Sequence, residues 1–177
     1  QGDLVAALAE YRASLTLRER LTAQDPANAG WQRDLSLSHN QVGGVLEAQG
    51  DLVAALAEYR ASLTIAEHLA AQDPANAGWQ RDLSVSHEKI GGVLEAQGDL
   101  VAALAEYRAS LTLRELLTAQ DPANAGWQRD LSVSHNKIGG VLKAQGNLAA
   151  ALAEYRADLT IAERPVKPRA SRMRGRW

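Results

Sequence analysis

The sequence predicts an all-α solenoid of antiparallel helix hairpins, with seven helices in chain order. Three observations predict it. The phrase GDLVAALAEYR starts at Gly2, Gly50 and Gly98 and returns as GNLAAALAEYR at Gly146, a period of 48 residues. Each copy carries two apolar stripes spaced by three and four, which places each stripe on a single helix face. No segment alternates apolar and polar residues as a half-buried strand would. A lone hairpin cannot bury both of its apolar faces, so such units stack side by side.

The chain opens halfway through a unit. Its order is B1, A2-B2, A3-B3, A4-B4, with repeats at 2–49, 50–97 and 98–145 and a partial copy at 146–164. Residues 2–49 and 50–97 agree at 40 of 48 positions, and 50–97 and 98–145 at 42. In the middle copy, Trp79, Leu83, His87, Ile90 and Leu94 define helix A, about 77–96. Leu100, Ala103, Leu104, Tyr107 and Leu111, continuing to Leu117, define helix B, about 99–120. Gly98 suits the left-handed position that ends helix A, and Asp99 can cap the helix that follows. Asp121-Pro122-Ala123-Asn124 breaks helix B and offers Asn124 as the next cap. From Arg164 the copying stops. Two prolines and a run of arginines argue against helix in 165–177, which reads as a basic irregular tail; a sharper reading makes it an arm for an acidic surface or nucleic acid.

These residues resemble a tetratricopeptide (TPR) repeat, whose pattern is W-x2-L-G-x2-Y, then A-x3-F, then P. The chain offers His87-x2-Ile90-Gly91-x2-Leu94, then Ala103-x3-Tyr107, then Pro122, and the same set recurs from His39 and His135. The resemblance covers residues 2–164. It departs from the family in His for Trp, Leu for Tyr, and a period of 48 in place of 34. The extra residues divide into seven at the end of helix B and seven at the start of the next helix A, about two turns each. Those ends are neighbours in space, so stacking survives. The result is similar to the long-helix arrays of kinesin light chains and bacterial signalling proteins. The resemblance implies a right-handed superhelix whose A helices line a concave groove for a peptide or helix, with the B helices outside.

Composition narrows the function classes. With 46% apolar residues and no Phe, the core is built of Ala, Leu and Val. No cysteine is present, which excludes disulfides, thiolate metal sites and cysteine nucleophiles and suits a reducing, cytoplasmic setting. No apolar run reaches the roughly 18 residues of a membrane span. The N-terminus, Gln1-Gly2-Asp3, lacks a basic n-region and an initiator Met and reads as the start of a fragment. Net charge is −2, but five cations (Lys167, Arg169, Arg172, Arg174, Arg176) sit in the tail. Without them 14 basic residues face 21 acidic ones, a body at −7, which is a poor match for nucleic acid.

Candidate binding residues come from the substitutions between copies. They fall in late helix B (Arg18/Ala66/Arg114, Arg20/His68/Leu116), read as outer surface, and in helix A. The helix A set defines a candidate groove of Arg33, Asn40, Gln41 and Glu47, then Arg81, Glu88, Lys89 and Glu95, then Arg129, Asn136, Lys137 and Lys143. Gly44, Gly92 and Gly140 lie between these positions and would let a ligand approach. A mid-helix glycine costs about 1 kcal/mol against Ala. Close packing accounts for Gly91, whereas its neighbour Gly92 has no packing role and speaks for a groove. The alternative is a solvated face on which copies drift. Family members that clamp a C-terminal carboxylate use Lys and Asn on helix A; here Gly stands where that Asn is expected.

Catalysis is not expected. Asp82, Ser86 and His87 recur as Asp34/Ser38/His39 and Asp130/Ser134/His135, but adjacent helix positions point about 100° apart and do not face each other. His87 lies in the apolar stripe and reads as a packed or boundary residue. One histidine per repeat, on helices about 8–10 Å apart, cannot converge on a metal, and no cofactor motif appears. The sequence therefore predicts a protein–protein interaction scaffold with a protein or peptide ligand. The alternatives are a spacer or self-associating rod, and an engineered consensus-like array. Uncapped terminal helices predict end-to-end homodimerisation.

Overall fold

The computed structural model describes residues 2–163. They form seven α-helices and no strand: α1 (Gly2–Gln24), α2 (Ala29–Ala48), α3 (Leu52–Gln72), α4 (Ala77–Ala96), α5 (Leu100–Gln120), α6 (Ala125–Ala144) and α7 (Leu148–Ala162). Each helix packs on the next in the chain, most extensively within the hairpins α2–α3, α4–α5 and α6–α7. The fold is an all-α solenoid of helical hairpins. The basic tail read at 165–177 lies outside the described residues.

Local chemistry sets the boundaries. The side chains of Asn28, Asn76 and Asn124 accept hydrogen bonds from the Trp31, Trp79 and Trp127 amides at 3.1, 3.1 and 3.2 Å, starting α2, α4 and α6. Gly98 has φ +83°. The Asp99 amide donates to the Leu94 carbonyl at 2.9 Å and the Gly98 amide to Glu95 at 3.0 Å, the paired closure of a glycine-terminated helix. Three residues, Gln97 to Asp99, then suffice between the helices, because the Asp99 carboxylate at once caps α5 by accepting from the Ala102 amide at 3.0 Å. This short turn makes neighbouring helices antiparallel. The other connection, through Asp-Pro-Ala-Asn, joins one hairpin to the next.

A single apolar core runs the length of the array, from Leu15 through Val42, Tyr59, Ile90, Tyr107 and Ile138 to Ala151. Each large aliphatic side chain so buried contributes about 1.5–3 kcal/mol. The hairpins close on a tyrosine seated over a glycine. A Cβ on Gly91 would lie 2.8 Å from Tyr107 Cδ1 and Cε1, and Gly43 and Gly139 meet Tyr59 and Tyr155 in the same way. Only a residue without a side chain lets the ring lie against the backbone of the facing helix. Buried serines sit where these helices approach closely: Ser62 Oγ lies 2.8 Å from Ser36 Oγ within the α2–α3 hairpin and 3.3 Å from Ser86 Oγ of the next hairpin, so its hydroxyl is satisfied. No described helix is long and apolar enough to cross a membrane.

Candidate functional site: the exposed strip of the first helices

The first helices α2, α4 and α6 present equivalent positions to solvent, but the open strip is not centred where seven-residue spacing puts it. In α2 it runs through the exposed Arg33, Leu37, Gln41 and Ala48 with Gly44 half-buried among them, and in α4 through the exposed Arg81, Lys89 and Ala96 with Val85 and Gly92 half-buried among them. Steps of seven residues drift about 20° each around a helix. By Glu47 the line from Arg33 through Asn40 has therefore turned towards the second helix of its own hairpin. Asn40, Glu47, Glu88 and Glu95 are half-buried flanks, whereas Gln41, Lys89, Lys137 and Lys143 are exposed.

The flanking residues are engaged within the array. Tyr59 and Tyr107 hydroxyls donate to Glu47 and Glu95 at 2.7 Å. Burial raises both phenols well above the ordinary tyrosine range, and the acceptor carboxylates add to the effect. Lys143 replaces this carboxylate in α6. Arg33 pairs with Asp82 at 2.5 Å and Arg81 with Asp130 at 2.9 Å, each tying one first helix to the next. Hydrogen bonding to Asp82, then its charge, raises the Arg33 guanidinium pKa. Arg129 has no such carboxylate among the described residues. Lys89 Nζ lies 5.9 Å from the Tyr59 ring centroid, within cation–π range.

The reading of late helix B as outer surface holds for Arg20, His68 and Leu116, which are exposed, and fails at Arg18, Ala66 and Arg114, of which the first is half-buried and the other two buried. Arg114 is 4% exposed. Its Nη1 donates to the Asp130 carbonyl and Ser134 Oγ, both at 2.8 Å, and its Nη2 pairs with Glu88. The position faces the seam between α4 and α6, which together supply its partners. The copies show the coupling: Asn40 faces an alanine at 66, Glu88 faces Arg114, and Asn136 goes with Ala162. Charge appears on both helices together or on neither. Among the three hairpins the charged pair at these positions is confined to α4–α5. In α6 the released Asn136 turns to Asp158, 3.3 Å away, while Asn40 Oδ1 is buried without a partner.

The Asp82, Ser86 and His87 side chains do not converge. Asp82 holds Arg33, Ser86 is buried and donates to the Asp82 carbonyl at 3.2 Å, and His87 Nδ1 donates to Glu106 at 2.7 Å. His39–Glu58 and His135–Glu154 repeat that last pair. These glutamates went unremarked in the sequence, although one stands just before each tyrosine of the repeat. Leu37, exposed in the strip, and its half-buried equivalents Val85 and Val133 were also missed.

No family model and no curated protein matches the chain. Among solved structures, it is similar to the crystal structure of MamA, with 12% identity and a TM-score of 0.49 over 88% of this chain and 90% of that one. It is also similar to BtubC (BKLC) from P. vanneervenii, with 16% identity and a TM-score of 0.34 over 95% and 96% of the two chains.

Proposed function

We propose that this protein is a tetratricopeptide-type interaction scaffold that holds an acidic peptide or helix across the exposed strip of α2, α4 and α6, without catalysis, metal or cofactor. The observation that carries the reading is the second glycine of each pair. A Cβ on Gly92 or Gly44 would meet only a tyrosine hydroxyl at 3.7 Å, and one on Gly140 would meet nothing within 4 Å. Packing does not require these glycines, yet each weakens its helix by about 1 kcal/mol against Ala. A ligand backbone lying close over the strip gives them a use. Lys89, Lys137 and Lys143, exposed beside them, favour carboxylates on that ligand.

The test is selection from a displayed peptide library. Enrichment of acidic sequences is expected, lost in Gly92→Leu and in Lys89→Glu/Lys137→Glu while helicity stays unchanged. Sequences that bind all variants equally, or no enrichment, would leave the strip without a ligand. Reversal of Glu88 or Glu95 is unsuitable here, since each holds a buried partner. The pairing of Arg33 and Arg81 within the array favours the second reading, a spacer or self-associating rod, if the selection fails.

A further inference from the structure

The second helices share an outward face whose charged groups find no partner in the array. On α3 it consists of Ala57, Arg60, Thr64, Glu67 and Ala71, all exposed, and on α5 of Ala105, Arg108, Thr112, Glu115 and Ala119, again all exposed. Both helices have a packed neighbour on each side, so this exposure does not depend on where the array starts or stops. Among the described residues none of the four charged side chains forms an ion pair, although the exposed Arg33 and Arg81 of the first helices both do. The Thr64 and Thr112 hydroxyls donate to the Arg60 and Arg108 carbonyls at 3.1 Å, so they need no partner across a contact. The order of residues on the face is self-complementary. Ala57, Thr64 and Ala71 are spaced by seven and form one seam of small side chains, with Arg60 and Glu67 on the same side of it. With a second α3 laid antiparallel about Thr64, Ala57 stands opposite Ala71 of the second copy. Arg60 then comes within one residue's rise, about 1.5 Å along the axis, of Glu67 of the second copy.

We propose that the outer faces of α3 and α5 are an interface between two copies of this chain, with reciprocal Arg60–Glu67 and Arg108–Glu115 pairs beside an Ala-Thr-Ala seam. The contact is isologous: each arginine meets the glutamate of the other copy and each glutamate the arginine. Because the face recurs 48 residues on, a two-fold axis lying along the array pairs α3 with α3 and α5 with α5 in one operation. Each face carries one positive and one negative side chain, so no net charge opposes the approach. The small seam residues let the helix axes come near the short end of the packing range, about 8 Å. Leu116, 57% exposed, flanks the α5 seam on its other side and gains cover opposite Ala109 of the second copy.

Light scattering and sedimentation of the whole chain test it, with circular dichroism checking that each variant keeps its helicity. The wild type is expected to dimerise. Arg60→Glu/Arg108→Glu and, separately, Glu67→Arg/Glu115→Arg should each weaken the dimer about a hundredfold, since like charges then face each other. An equimolar mixture of the two variants should dimerise again. The chain has no cysteine, so Thr112→Cys places a single thiol on the two-fold axis and should give a disulfide-linked dimer under mild oxidation. Ala96→Cys, exposed on the first-helix strip, should not. Peptide binding to the strip of α2, α4 and α6 is a separate property and should be unchanged in the charge-reversed variants. A wild type that stays monomeric up to millimolar concentration overturns the proposal. So does a dimer that survives both reversals, or a mixture of the two variants that remains monomeric.

Discussion

Alanine at Gly91 and alanine at the next residue, Gly92, should change stability in opposite directions. Both changes gain about 1 kcal/mol of helix propensity. At Gly92 the new methyl sits 3.7 Å from the Tyr107 hydroxyl, an ordinary contact, so most of that gain is retained. At Gly91 it would sit 2.8 Å from two ring carbons, against an optimum of about 3.5–4.0 Å. The ring cannot yield cheaply: it is buried, and its hydroxyl is held by Glu95 at 2.7 Å. Overpacking of this kind costs about 1–3 kcal/mol, and a shift that breaks the bond to a charged acceptor adds about 1.5–3 kcal/mol. Subtracting the propensity gain leaves a net loss of about 3 kcal/mol. For a chain of this size, 1 kcal/mol moves Tm by about 2–4 °C. Gly92→Ala should therefore raise Tm by about 2–4 °C and Gly91→Ala lower it by about 6–12 °C. Thermal melts followed by far-ultraviolet circular dichroism read both. Shifts of the same sign would refute the division of labour between the two glycines.

Three further outcomes are expected. Glu88→Asn alone should destabilise by about 2–3 kcal/mol, less than the ~3–5 of a fully buried pair because part of Glu88 is in water; adding Arg114→Ala, which copies the Asn40/Ala66 combination, should restore most of it in a denaturant-melt double-mutant cycle. Arg81→Ala should cost less than about 1 kcal/mol, and less still in high salt, since half of the Arg81 side chain is in water; a large, salt-insensitive loss would contradict this. Tyr59 and Tyr107 keep their protons in the folded state above the pH at which the unfolded chain ionises, so their contribution is complete below about pH 10 and falls as pH rises beyond it. The slope from the two groups is up to about 2.7 kcal/mol per pH unit, and Tyr59→Phe/Tyr107→Phe should flatten it in melts taken across alkaline pH.

Much of the architecture is written locally. The 48-residue period, the asparagine and aspartate caps, and Gly98 with its left-handed backbone each act within a few residues. They set the number and ends of the helices without reference to the rest of the fold. Gly91 could likewise be read as a close-packing position from its cost in a helix, though not that a tyrosine ring fills the space. The coupling of Glu88 to Arg114 was also present in the copies, as charges that appear and vanish together.

Which way each face points was decided by tertiary structure. A helix wheel orders residues around an axis but does not say where the neighbouring axes stand. The 20° drift of a seven-residue step is enough to carry Glu47 and Glu95 from an expected groove to a tyrosine on the next helix. Arg114 shows the same limit. A long cationic side chain at the end of a helix reads as surface because an isolated charge is costly to bury. Only the seam between α4 and α6 supplies the carboxylate, carbonyl and hydroxyl that make its burial possible.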